Sequence, residues 1–316
     1  MSTIPVVVHA QTLASERALL VELRPVDVDL PPAAPGAHVD LHLPMTPGTA
    51  VRQYSLLDVT DPSRYLICVQ REPEGRGGSR HVHERLRVGD RLTISAPRST
   101  FAVQDGAHHA VLLGGGIGLT PLLGMAGWLQ AQGMSFELHC YGRGRLPLAE
   151  YVAGQPYADR VRWHDSDAGD SLRQAAPAWS ITEDTVVYAC GPAGFLDAVR
   201  ERAADAGLAA DRVRVERFTA EVPADLGGDA FTVVAASTGE RMAVADGETI
   251  AEVLERSGYD VVLSCEQGIC GSCLTRVVDG VPDHRDEVQT AAEHAANSQI
   301  NVCVSRSRTP VLTLDV

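Results

Sequence analysis

The chain has no apolar stretch approaching the length that spans a bilayer. Its N-terminus, "MSTIPVVVHAQTLASERALLVEL", lacks a basic segment followed by a long apolar one, so neither a membrane anchor nor a secretory leader is expected. Basic residues are in deficit. Lys and Arg number 27 against 41 Asp and Glu, and the net charge of −14 has the wrong sign for binding nucleic-acid phosphates. Cysteine is scarce, and seven is an odd count that does not suit a secreted disulfide framework. A reducing cytoplasm is the expected home. Internal repeats and low-complexity segments are absent as well. What is present is a 316-residue chain, 45% apolar and 22% charged, ordinary for a cored protein and long enough for two or three domains.

Composition changes along the chain. Up to residue 103, short β-branched segments such as "ALLVELRPV", "HVDLHLP" and "RYLICVQRE" alternate with Pro and Gly turns, which predicts an antiparallel sheet or barrel. Residues 104–222 alternate apolar strands with amphipathic segments, which predicts a parallel sheet covered by helices on both faces. A Pro-, Gly- and Asp-rich linker is expected over 223–228. The last block, 229–316, reads as a hairpin ("FTVVAAS–TGERMAVA"), a helix ("ETIAEVLERSG"), a cysteine-bearing loop and a final strand ("TPVLTLDV").

That loop, "SCEQGICGSCLTRVV", sets Cys265, Cys270 and Cys273 at x4 and x2 spacing, and downstream the chain has one further cysteine, Cys303. Zinc sites usually pair their ligands in two short hairpins, so this spacing fits a plant-type [2Fe–2S] cluster better than zinc or a buried cysteine core. Gly268 and Gly271 suit a backbone that curls closely around an inorganic core.

Two glycine turns follow apolar strands. "LLGGGIGLTPLL" has Gly115, Gly116 and Gly118 before a helix that Thr120 is placed to cap, with Pro121 in its first turn. Such a loop lets a phosphate-bearing ligand approach a helix N-terminus, or it is simply a tight turn. "YACGPAGFLDAV" repeats the device with Cys190, Gly191 and Pro192, and Cys190 is either a core cysteine or a ligand-facing one. In the first block, "VRQYSLL" offers Arg52, Gln53, Tyr54 and Ser55, though a plain strand with Tyr54 in the core would look the same. "EGRGGSRHVHE" supplies Gly77, Gly78 and Ser79 as an anion nest, with a helix opening at Ser79. His81 and His83 read as solvated helix residues rather than metal ligands.

Taken in order, these motifs resemble the phthalate dioxygenase reductase family, and in particular the vanillate O-demethylase reductase-like components of Rieske oxygenase systems. The resemblance covers essentially the whole chain. It implies an antiparallel β-barrel for flavin, an α/β nucleotide domain and an α+β, β-grasp ferredoxin domain, with FMN rather than FAD. It further implies that Arg52, Gln53, Tyr54 and Ser55, the backbone at Val69 and Gln70, and Gly77, Gly78 and Ser79 line FMN. Thr120 and Phe218 would flank its ring. Gly115, Gly116, Gly118, Cys190, Gly191 and Pro192 would hold the nucleotide, Ser55 and Cys190 would sit at the reacting centre, and Cys265, Cys270, Cys273 and Cys303 would ligate iron.

The loop "CYGRGRLPLAE" carries Arg143 and Arg145 and no adjacent acid. The residues therefore leave NADPH open, and NADH is expected from the family's habit. The expected activity is hydride transfer from NAD(P)H to FMN followed by single-electron transfer through the cluster to a Rieske-type oxygenase. The chain is expected to act as a monomer without nucleic acid or membrane. A cytochrome P450 is the alternative acceptor. A non-turnover redox sensor would need neither the flavin nor the nucleotide motifs.

Overall fold

The computed structural model describes residues 3–45, 48–104, 108–144, 146–174, 179–182, 184–220 and 225–316. Six strands come first: β1 (Thr3–Ser15), β2 (Ala18–Pro25), β3 (His38–Pro44), β4 (Thr49–Ser55), β5 (Tyr65–Gln70) and β6 (Arg91–Ser95), with helix α1 (Gly78–Glu84) before β6. They pair antiparallel in the order β4-β3-β6-β1-β2-β5, and a bridge between Leu56 and Ile67 joins the two ends into a barrel. Alternating residues fill it. Val6, Val8, Val21, Leu23, Leu41, Ile67 and Ile94 have no exposed surface, each contributing about 1.5–3 kcal/mol of burial. Asp40, buried on β3, is paired with Arg98 at 2.6 Å. Burial, reinforced by Arg98, pushes the neighbouring His38 down to about 4 despite the opposing pull of Asp40.

The second sheet is parallel, in the order β11-β10-β7-β8-β9. Its strands are β7 (His109–Gly115), β8 (Ser135–Gly142), β9 (Val161–Asp165), β10 (Thr185–Cys190) and β11 (Val213–Glu216), and its helices are α2 (Leu119–Ala131), α3 (Ala149–Ala153) and α4 (Ala193–Asp205). Alternate residues of one strand enter different cores. Leu112 and Tyr188 pack with α2, whereas Val111 and Val187 pack with Leu196 and Val199 of α4. Both faces are covered, as parallel sheets require. In α2, nine of thirteen residues are buried, because it packs against this sheet and also against Leu57, Leu66, Cys68 and Phe101 of the barrel. A Cβ at Gly124 would come within 2.5 Å of the Leu56 carbonyl oxygen, so the close seat of α2 on the barrel depends on that glycine.

The last strands are β12 (Phe231–Ala235), β13 (Arg241–Val244), β14 (Leu274–Asp279), β15 (Pro282–Asp283), β16 (Gln299–Asn301), β17 (Arg306–Ser307) and β18 (Val311–Leu314). The main sheet runs β13-β12-β18-β14-β16, with β12 and β18 parallel, and α5 (Ile250–Arg256) packs against it; α6 (Ala291–Ala296) lies farther along. Thr249 and Glu252 close a reciprocal capping box at the start of α5. Contacts gather the chain into two compact units, Met1–Arg217 and Phe218–Val316. Part of the expected linker, residues 223 and 224, lies outside the described residues. Among the described residues no helix is long and apolar enough to cross a membrane.

Arg306 is buried in the second unit, and its guanidinium donates to backbone carbonyls. Its guanidinium reaches the oxygens of Leu226, Gly228, Asp229, Ala245 and Glu248 at 2.8–3.4 Å and lies over the Phe231 ring. Removing the guanidinium deprives five part-buried carbonyls of their donor at once, where a single fully buried one would cost about 1–3 kcal/mol. Arg306→Met should therefore lower the stability of this unit by about 3 kcal/mol or more, measured as a reduced urea midpoint at the visible absorption of the cluster.

Candidate functional site

Three constellations gather at element ends. In the barrel, Arg52 on β4 lies against the turn that opens α1. Its Nη2 donates to the Arg76 carbonyl at 3.1 Å, and Gly78 sits directly on its side chain. A cation beside this turn suits a phosphate. Ser55 ends β4 and is buried, Tyr54 packs against the barrel core, and the Gln53 amide donates to His38 Nε2 at 3.2 Å. Two expectations change here. The helix starts at Gly78, with Gly77 as its N-cap, and the Ser79 hydroxyl accepts from the Glu72 amide instead. His83 is not simply solvated, because its imidazole donates to the Val69 carbonyl at 2.8 Å and ties α1 to β5. Gln70, next along β5, bonds Glu72.

In the second sheet the two glycine turns meet at the carboxyl ends of β7 and β10. A Cβ at Gly118 would lie 2.3 Å from the Cys190 carbonyl oxygen and 2.7 Å from the Gly191 nitrogen, so only glycine allows this approach. Gly115 faces Phe195 and Pro192 in the same cleft wall, and Gly116 has a positive φ with open space beside it. Gly118 is the N-cap of α2. Thr120 therefore does not cap; its hydroxyl donates to Ile117 O at 3.1 Å. Cys190 is fully buried, and burial together with the nearby Glu216 holds its thiol neutral, well above the ordinary range.

Glu216 was not singled out by its sequence context. It ends β11 opposite Cys190, and its Oε2 is buried with no hydrogen-bond partner among the described residues. Burial pushes its carboxyl up to about 8, so it holds a proton at neutral pH. A buried, proton-bearing acid beside two glycine turns at the carboxyl ends of parallel strands is what a functional carboxyl looks like. Phe218 follows two residues later and is exposed.

An acid also reaches the loop after β8, where the sequence offered only arginines. Asp165, at the end of the adjacent strand β9, accepts from the Gly144 amide at 3.2 Å, and Asp167 lies 3.9 Å from the Arg143 guanidinium. Arg145 lies outside the described residues.

In the second unit, the loop from Ser264 to Cys273 bends its backbone through positive φ at Glu266, Gly268 and Gly271. A side chain at Gly268 would strike Val304 and the Asp286 backbone. The loop brings Cys265 within hydrogen-bond reach of Cys270 and Cys303, and Cys303 within reach of Cys273. Backbone amides of Gln267 and Ser272 point at the sulfurs of Cys265 and Cys270, at 3.3 and 3.5 Å. No two of the four are joined in a disulfide. The Cys265 thiol and burial push Cys270 up; at Cys303 the pull of Cys265 is outweighed by Cys273 and burial, which hold the thiol at about 12. Four crowded sulfurs with amides aimed at them suit an iron–sulfur core far better than four protonated thiols. A cleft of about 500 Å³ opens onto Cys303, bordered by Gln267, Leu263 and Val304.

Known proteins agree with this picture. Residues 234–308 match the family described as 2Fe-2S iron-sulfur cluster binding domain. The chain is 42% identical over 319 residues to vanillate O-demethylase oxidoreductase of Pseudomonas sp. (strain HR199 / DSM 7063), covering 99% of this chain and all of that one. Among solved structures, it resembles phthalate dioxygenase reductase at 31% identity and a TM-score of 0.73, over the whole of this chain and 98% of the other. An intact type IV self-sufficient cytochrome P450 monooxygenase matches at 32% identity and a TM-score of 0.84; 99% of this chain corresponds to 41% of that longer one. Fold and sites thus define an NAD(P)H-dependent electron-transfer oxidoreductase that uses a flavin and a [2Fe–2S] cluster. The chain belongs to the phthalate dioxygenase reductase family.

Ionisation of Glu216 near pH 8 would set a negative charge against Cys190 and the nucleotide turn. The kcat/KM for NADH should fall as pH rises through about 8, and Glu216→Gln should flatten that limb while leaving the flavin bound. Steady-state pH profiles of the two proteins check this.

Proposed function

We propose that this chain is the reductase component of a Rieske-type aromatic oxygenase or O-demethylase, taking electrons from NADH through FMN and a [2Fe–2S] cluster. The observation that carries the reading is the correspondence with a vanillate O-demethylase oxidoreductase over 99% of this chain and the whole of that one. Electron delivery to an oxygenase system is common ground among such relatives; the Rieske identity of the acceptor is our inference.

In this reading three modules, 1–103, 104–222 and 229–316 around a short linker, carry the three redox groups. Arg52 and the Gly77-Gly78-Ser79 turn hold the FMN phosphate, while Gln53, Tyr54, Ser55 and the backbone at Val69 and Gln70 line its ring, with Thr120 beside it. Held there, FMN would supply the chemistry that joins two-electron hydride acceptance to one-electron release. Gly115, Gly116, Gly118, Cys190, Gly191 and Pro192 shape the nucleotide seat by letting backbone approach closely. The buried Cys190 thiol gives that seat an uncharged wall, and Glu216 keeps a proton at its carboxyl. Cys265, Cys270, Cys273 and Cys303 hold the iron pair, with the amides of Gln267 and Ser272 stabilising charge on sulfur.

Asp165 and Asp167 face the ribose end of the nucleotide and disfavour a 2′-phosphate, which supports NADH as the donor. Asp165→Ser should lower the NADH-over-NADPH ratio of kcat/KM by about tenfold or more, equivalent to about 1.4 kcal/mol of discrimination, as measured by steady-state oxidation of each coenzyme.

The acceptor is tested by mixing the NADH-reduced protein anaerobically with a purified Rieske oxygenase and, separately, with a bacterial P450. Appearance of the reduced Rieske EPR signal at a rate well above that of P450 reduction, read as the ferrous-CO band, is the expected result. The opposite preference would favour the P450 reading, to which the match with a self-sufficient P450 lends weight.

A further inference from the structure

The second unit contains a group of metal-ligating side chains that electron transfer does not use. His284 and Asp286 follow β15, and His294 lies on α6. One potential ligand atom from each lies within 4.8 Å of the others. The Asp286 side chain is completely buried and that of His284 nearly so, while His294 leaves the group an opening at 29% exposure.

The orientation of each group is informative. His284 Nε2 lies 3.2 Å from Asn297 Oδ1, an oxygen that only accepts, so the ring proton sits on Nε2. The Nδ1 lone pair faces the Gln289 amide, 3.5 Å away, which also donates to Asp286 Oδ1 at 3.2 Å and gives way when an ion enters. Nδ1 is 3.8 Å from Asp286 Oδ1. A carbonyl-type acceptor on the outer nitrogen is the usual support of a metal-bound imidazole. His294 Nε2 is a buried atom 3.3 Å from Asp286 Oδ2, yet it makes no hydrogen bond there. The two imidazoles stack with centroids 4.4 Å apart, an arrangement that double protonation would oppose. Two ring nitrogens and a carboxylate thus converge on one point.

We propose that His284, Asp286 and His294 bind a divalent transition-metal ion of the zinc type, with solvent completing the coordination through the opening at His294. Two imidazoles and a carboxylate are a donor set that Zn²⁺ accepts with a fourth position held by water. The ion would brace the cysteine loop from behind. The Glu287 amide donates to the Gly268 carbonyl at 3.0 Å, and the Asp286 backbone packs on Gly268, so the segment carrying two ligands is the one that supports the loop.

The test uses the oxidised holoprotein, with flavin and cluster in place, titrated with ZnCl₂ by calorimetry and examined by X-ray absorption at the zinc edge. One equivalent should bind, with a first shell of nitrogen and oxygen only. His284→Gln and His294→Gln, each checked for undiminished cluster absorption, should weaken binding by about 100-fold or more, given that loss of even an outer-shell partner costs roughly 10–100-fold. A sulfur-containing shell would place the zinc on cysteines and overturn the proposal. So would the absence of binding at millimolar zinc, or unchanged affinity in both variants. The absorption spectrum of the wild-type holoprotein decides the question even where a variant fails to fold.

Discussion

Three sulfurs on one loop can meet a fourth, thirty residues farther along, only if the backbone between Cys265 and Cys273 turns back on itself. That bend depends on left-handed backbone at Glu266, Gly268 and Gly271, and on the absence of a side chain where Gly268 meets Val304 and Asp286. Much of the second unit is arranged around this requirement. β16 leads directly into the segment that delivers Cys303, Asn301 packs beside Cys273, and the strap around Asp286 closes over the loop. Arg306, three residues past Cys303, fastens the end of that segment to five carbonyls gathered from the unit's first residues and from around the start of α5.

The first unit solves a different problem, the approach of a large anionic nucleotide to a flavin. Charge is used sparingly. Arg52 stands at the α1 turn, while the meeting of the Gly118 and Cys190 turns is made of backbone, and the titratable groups nearest it, Cys190 and Glu216, are both neutral. A low-dielectric, uncharged wall strengthens whatever polar contacts the ligands make with it. The contrast with the second unit, where the backbone amides of Gln267 and Ser272 are aimed at the sulfurs of Cys265 and Cys270, follows from the charge each site must carry.

Local signals in the chain were enough for the strand-rich opening, the alternating middle block, the hairpin and the helix before the cysteine loop. Each depends on periodicity or on turn residues that act within a few positions. The cysteine spacing was legible for the same reason. What escaped reading depends on register between distant segments. Glu216 keeps its proton because the pairing of β11 with β10 buries it, and Asp165 reaches the loop after β8 only because β9 lies beside β8. Thr120 had the chemistry of a cap but sits one residue inside the helix, and His83 found a carbonyl on β5 that a helical wheel does not reveal.

Helix α2 has a consequence for how such proteins can be assembled from parts. Its residues complete two layers at once, since the barrel and the parallel sheet share one continuous apolar interior across it. A recombination breakpoint between those layers would tear that interior open, so the pair is inheritable only as a single cartridge. The cysteine-bearing unit keeps its interior to itself, from Phe231 onward. Its apolar cluster is assembled from its own strands and α5, so that core travels with the unit as one piece of inheritance.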